Sequence, residues 1–232
     1  MKVSIRSNIQ EIEYRIAKAA SMAGRSRDEI KLVGVTKTVG IETIKEAIEA
    51  GINVIGENRV QEMEEKYGKL LDYPLEWHLI GHLQSNKVKY IVDKVDLIHS
   101  IDRMSVVEEI EKRAAGIDRR VDVLLQVNVS GEETKFGIPP EKLMGFIDRA
   151  RQCKFMNIKG LMTIAPYTED PETVRPVFRK LHEIFMELKE KKLDGVSMEY
   201  LSMGMTGDFE VAIEEGANIV RIGSGIFGER KL

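Results

Sequence analysis

Residues 31–40 read KLVGVTKTVG, and this stretch separates the two folds open to the chain. Leu32, Val33 and Val35 form a short apolar run of strand character, and a helical pattern begins at residue 41. An open dinucleotide-binding sheet would carry G-x-G-x-x-G directly after such a strand. Here the strand runs into VTKTVG, which has no glycine-rich phosphate loop and places a lysine, Lys37, near the strand end.

Seven further runs of the same kind follow, at 53–58, 76–81, 97–101, 121–129, 158–164, 198–203 and 218–223. Helical patterns separate them, at 41–50, 59–70, 86–94, 103–115, 140–152, 171–191 and 208–215, and a short tail, SGIFGERKL, follows the last strand. Near-continuous Val/Ile/Leu runs joined by helices imply parallel strands covered on both faces. Eight of them predict an α/β fold, a (β/α)8 TIM barrel. An extra helix precedes the first strand, because Ile5, Ile9, Ile12, Ile16 and Ala19 recur at helical spacing. No Pro/Gly/Ser-rich linker divides the chain, so residues 1–232 are expected to form a single domain.

Composition narrows the function. The chain is 43% hydrophobic and 31% charged, an ordinary globular balance, with a formal net charge of −3. Its basic residues are spread along the chain without the concentrated face that nucleic acid requires, so nucleic acid is not an expected partner. No apolar run approaches the roughly 20 residues that span a bilayer, and the N-terminus lacks a signal-peptide core, so a cytoplasmic protein without membrane contact is expected. Cys153 is the one cysteine and reads as a packing or surface residue.

In a (β/α)8 barrel the working site lies at the C-terminal strand ends. Lys37 stands at the first of these ends, on the same face as Val33 and Val35. Two readings of it are open: an ammonium reaching solvent, or, if it points inward, a partly desolvated amine able to form a Schiff base with an aldehyde or ketone. LSMGMTGDFEVAIEEG brings the Ser202 and Thr206 hydroxyls near a helix start, and VRIGSGIFG places Gly223, Ser224 and Gly225 after the last strand. The loops after strands seven and eight are the usual phosphate site of this architecture, which points to a phosphate monoester as ligand. His78 and His82 lie on a strand, about 13 Å apart, so no shared metal is expected. His78 instead reads as a stacking or hydrogen-bonding group at the barrel mouth, or as a satisfied core histidine. His99 and His182 read as structural.

An aldehyde-capturing lysine with a phosphate cradle suits either a sugar-phosphate aldolase or a protein that holds pyridoxal 5′-phosphate (PLP). Seven motifs in order, VGVTKT, GENRVQE, WHLIGHLQSNK, VNVSGEETKFG, GLMTIAP, LSMGMTGDFEVAI and VRIGSGIFGER, closely resemble the YggS/PROSC family of PLP homeostasis proteins over nearly the whole chain. The resemblance implies a single barrel related to the N-terminal domain of alanine racemase. It assigns Lys37 to Schiff-base formation, and Ser202, Gly223 and Ser224 to the phosphate. Arg221 would face the pyridine nitrogen, while Asn58, His78 and Met203 would line the cofactor. An arginine is always a donor and should keep that nitrogen unprotonated, which weakens the electron sink.

Racemase chemistry would then need an acid–base group opposite Lys37. In alanine racemase the resemblance traces that group to a tyrosine of a separate β-domain. This chain carries nine residues after Gly223, and of its six tyrosines only Tyr167 closely follows a strand, in APYTEDPE, which reads as an exposed loop. The expectation is therefore a non-catalytic PLP carrier that buffers or delivers the cofactor, with an amino-acid racemase as the alternative. Apo-PLP enzymes are its expected partners, and it is expected to be a monomer or weak dimer.

Overall fold

The computed structural model describes residues 4–132 and 135–228. Eight parallel strands close into a barrel in chain order: β1 (Lys31–Val35), β2 (Val54–Glu57), β3 (Glu76–Leu79), β4 (Leu97–Ile101), β5 (Val121–Gln126), β6 (Met156–Met162), β7 (Val196–Met205) and β8 (Ile219–Ile222), with β8 paired back onto β1. The helices are α1 (Ile5–Met22), α2 (Ile41–Glu49), α3 (Val60–Lys69), α4 (Met104–Ala115), α5 (Pro140–Ala150), α6 (Arg175–Lys191), α7 (Phe209–Glu214) and α8 (Ser224–Phe227). The expected (β/α)8 barrel with an additional first helix is the observed fold.

Strand alternation divides the core into two layers. Val33, Val54, Leu97, Leu124, Met162 and Ile219 form one buried cluster inside the barrel. Their strand neighbours Leu32, Ile55, Ile98, Val123, Leu161 and Val220 belong to the second, larger cluster beneath the helices. The inner face also carries Lys31 and Glu76 toward the bottom, and His78, His99, Ser202 and Arg221 above them, so the barrel centre is unusually polar.

Several elements depart from their expected form. The helix at 86–94 is a 3₁₀ segment over Ser85–Tyr90, because Val88, Ile91, Val92 and Val95 must all reach the core and β-branched residues lower helix propensity. The long helix from 171 begins as a 3₁₀ turn, Pro171–Val174, and α6 starts only at Arg175, with Pro176 in its first turn. Finally, β7 runs two residues beyond its expected end, and the tail forms the short α8.

α1 does not belong to the βα repeat. Ser4 caps it by accepting from the Ser7 N–H, and its buried Ile9, Ile12 and Ile16 pack against α7 and α8. The Asn8 side chain donates to the Ile226 carbonyl at 2.8 Å, tying α1 directly to α8. Among the described residues no helix is long and apolar enough to cross a membrane.

Candidate active site

Lys37 lies two residues beyond β1, in a turn gripped from behind. The fully buried Thr36 donates its hydroxyl to Glu57 Oε1 at 2.6 Å. Lys66, on α3, donates to the Thr36 carbonyl and to Glu57 Oε1, both at 2.7 Å, and to Glu62 at 3.3 Å. Glu62 also accepts the Thr38 N–H at 2.7 Å, which fixes Thr38 in the left-handed region at φ 62°. Burial pushes the Glu57 carboxyl up, against the opposing hydrogen bonds from Lys66 and Thr36. The backbone on both sides of Lys37 is therefore anchored, while its side chain borders a cavity of about 350 Å³. Val35, Val39, Gly223, Ser224 and Phe227 also line that cavity.

At the ends of β7 and β8, where a phosphate is expected, the residue that lies beside Ser224 is Thr206. Thr206 Oγ1 lies 3.3 Å from both the Ser224 hydroxyl and the Gly225 N–H, each of which donates to it. Ser202, in contrast, is fully buried inside the barrel, 2.5 Å from Arg221 Nη1 and 2.9 Å from His99 Nδ1. The cause is the length of β7: a strand ending at 203 would put Ser202 at the mouth, but one running to Met205 leaves it in the interior and brings Thr206 to the end. Gly204 permits this course, with φ 91° and an approach to α7 in which a Cβ would lie 2.6 Å from Ala212.

The remaining expected residues separate. Arg221 points into the barrel two residues before Gly223. Asn58 sits at the end of β2 beside a different depression, which it shares with Arg59, His82 and Lys87. Met203 faces outward into the helix-packed layer, since strand alternation sends it opposite to Ser202, so its side chain does not line the site. His78 is fully buried below the mouth, with Glu76 at 2.8 Å and His99 at 2.9 Å occupying its two nitrogens. It cannot stack on a ligand at the mouth. In the sequence Thr206 reads as a hydroxyl beside Ser202 at the anion site, with no role of its own, and His99 reads as structural alone. The place of Thr206 follows from its position nearest the helix start, whereas the contact of His99 with Ser202 is recognisable only once strand register is known.

Arg221 is a buried cation without a carboxylate in contact. Two of its N–H groups are engaged, one by Ser202 and one by the Thr163 carbonyl at 2.9 Å. Desolvation pushes it down to about 10, with Asp208 opposing, so it stays protonated at neutral pH. Burial also lowers His78 and lowers His99 further. The His78 hydrogen bond, with Lys31 adding to it, outweighs desolvation and pulls Glu76 down to about 2.

These shifts set a stability profile. Both histidines stay neutral in the fold but take up protons when unfolded, near their ordinary value of 6.5. Their contribution is therefore complete above that value and is lost as pH falls toward the depressed folded values. The slope is at most about 1.4 kcal/mol per pH unit for each. Glu76 adds a second loss, from its ordinary 4.5 down to about 2. Urea denaturation between pH 7 and 5 should show falling stability, and His99→Gln should about halve the slope. A flat profile would mean that the pair is hydrated or already charged.

Thr206, which accepts from Ser224 and Gly225, keeps its own hydroxyl hydrogen for an anion, Lys37 offers an amine, and no carboxylate lines the cavity among the described residues. Its volume lies in the range of small-ligand pockets. This donor set fits a phosphate monoester that also carries a carbonyl group. Known proteins agree with that chemistry. The family model for the alanine racemase N-terminal domain matches residues 7–231. The pyridoxal phosphate homeostasis protein of Aquifex aeolicus is 54% identical, over 96% of this chain and 97% of its own. The protein of that name from Pseudomonas aeruginosa is 39% identical over 98% and 96%. Among solved structures, PipY of Synechococcus elongatus with PLP bound superposes with a TM-score of 0.81 at 33% identity, covering 92% of this chain and all of that one. Alanine racemase from Clostridium difficile reaches 0.75 at 15% identity over 99% of this chain and 57% of its own, a likeness of fold alone.

Proposed function

Because this chain belongs to the alanine racemase N-terminal domain family and, within it, to the pyridoxal phosphate homeostasis proteins, we propose that it takes up PLP at Lys37, holds it and releases it to other proteins, without turning over a substrate. The observation that carries this reading is the single cavity bordered by both Lys37 and the Gly223–Ser224 loop. PLP supplies an aldehyde that condenses reversibly with an amine. Lys37 provides that amine from an anchored turn. Thr206, oriented by the Ser224 hydroxyl and the Gly225 N–H, donates to the phosphate, Arg221 donates toward the pyridine nitrogen, and Asn58 borders the mouth. In this reading residues 1–232 act as one domain in the cytoplasm.

The absence of turnover rests on the surroundings of the cavity. Tyr167, the tyrosine placed nearest a strand end, is 96% exposed on the loop after β6, so nothing positions it as an acid opposite Lys37. Arg221, protonated at neutral pH, opposes protonation of the ring nitrogen and weakens the electron sink, so that α-proton removal would depend on the paired acid–base group that the cavity lacks among the described residues. Mixing the PLP-loaded protein with an apo-PLP enzyme should restore that enzyme's activity, measured against a free-PLP control. Exchange of amino-acid α-protons in D₂O should remain at background. Robust exchange that disappears in Lys37→Ala would replace the carrier by a racemase.

A further inference from the structure

Below the mouth, a file of polar side chains descends through the barrel, and each of its protons can be assigned. Glu76 is ionised and receives Lys31 on both oxygens, at 2.6 and 2.8 Å. A carboxylate only accepts, so the His78 Nε2 facing it at 2.8 Å carries the proton. In a neutral imidazole the other nitrogen is then bare, and His78 Nδ1 must accept from His99 Nε2 at 2.9 Å. His99, neutral for the same reason of burial, is left with a bare Nδ1, which accepts the Ser202 hydroxyl hydrogen at 2.9 Å. Ser202 Oγ in turn accepts from Arg221 Nη1 at 2.5 Å, since a guanidinium can only donate. Reversing any one link sets two donors or two acceptors face to face in a site that water does not reach, because Ser202, His99 and His78 are all fully buried.

We infer that Ser202, His99 and His78 are positioning residues: they form a one-way hydrogen-bond file, anchored on Glu76 and Lys31 at the far end of the barrel, that aims the Arg221 guanidinium at the ligand. The inference rests on the PLP reading for the identity of that ligand, but the order of the file does not. Ser202 has no hydrogen left for a phosphate, so its substitution acts at the ring-nitrogen end of the site. Thr206 acts at the other end. The nearest bottom-face groups, Lys31 and Glu76, touch no part of the cavity beside Lys37, and they affect the ligand only through the file.

Two measurements test this. In the ligand-free protein, ¹⁵N NMR of labelled histidines at pH 7 should find His78 and His99 both neutral with the proton on Nε2. An imidazolium at either position, or His99 protonated on Nδ1, would overturn the file whatever the protein binds. The second measurement compares the dissociation constants of PLP and of pyridoxal, which lacks the phosphate. Ser202→Ala should move the visible absorbance maximum of bound PLP, leave the pyridoxal-to-PLP ratio within about twofold of wild type, and be corrected by Ser202→Thr. Thr206→Ala should lower that ratio about tenfold or more, the effect of one charge-assisted hydrogen bond, without moving the maximum. A Ser202→Ala protein whose ratio collapses instead would place Ser202 on the phosphate and refute the inference. Wild-type protein that binds neither compound would end the PLP reading, while the NMR result would still judge the file.

Discussion

Lys37→Ala is expected to give a protein that stays colourless after incubation with excess PLP and loses the ligand on desalting, whereas wild type turns yellow and retains it. The effect should be close to complete, because the variant keeps the Thr206 and Ser224 hydroxyls but loses the one lysine amine that lines the cavity among the described residues. Stability should change little, within about 0.5 kcal/mol, since the side chain is half-exposed at the cavity wall and the anchoring bonds of its turn come from Thr36 and Thr38. Borohydride treatment of loaded wild type followed by peptide mapping should place the pyridoxyl group on Lys37. Recovery mainly on Lys87, beside the neighbouring depression, would dismantle the assignment.

The second large effect lies behind that turn. Lys66→Met removes the only cation in contact with Glu57 among the described residues, leaving a buried carboxylate whose Oε2 already lacks a partner and freeing the Thr36 carbonyl. Breaking one side of such a pair costs about 3–5 kcal/mol. Burial already pushes Glu57 up, so it takes a proton more readily than an ordinary carboxyl, and the loss should shrink between pH 7 and pH 5 as the isolated acid is neutralised. Urea denaturation at the two pH values reads both effects. Glu57→Gln/Lys66→Met should be more stable than Lys66→Met alone at pH 7, because no charge then remains buried. A loss below about 1 kcal/mol at pH 7 would show the cluster to be hydrated. The same variant should retain PLP less well, although neither residue touches the cavity.

The barrel was legible because its strands are written in continuous Val, Ile and Leu runs, a signal that survives without neighbours. Lys37, Gly223 and Ser224 were legible for a related reason: each directly follows such a run, so chain order alone puts it at the mouth. Ser202 was not. In LSMGM the glycine after Met203 reads as a strand end, yet β7 runs through it, and two residues of additional strand decide whether a hydroxyl meets a ligand or lies in the core. The choice between the two readings of His78, and the partners of His99, depended on a longer-range quantity. Whether an inward residue stands at the rim or halfway down depends on the stagger between strands, seen here as His78 paired with Leu97 and with Gly56, and no local pattern carries that information. Met203 differs again, because alternation sends it outward as soon as its neighbour is known to point in.

The brace between α1 and α8 has a consequence for biosynthesis. Asn8 and Ile12 support the loop that holds Ser224 and Gly225, about two hundred positions later in the chain, and β1 finds one of its two partners only in β8. A ribosome therefore makes the lysine early and the anion cradle last, and the two become one site only when the final strand has emerged and the cylinder has shut. A nascent chain can offer an aldehyde no more than a loose amine, so capture of the cofactor is deferred until translation of the barrel is finished.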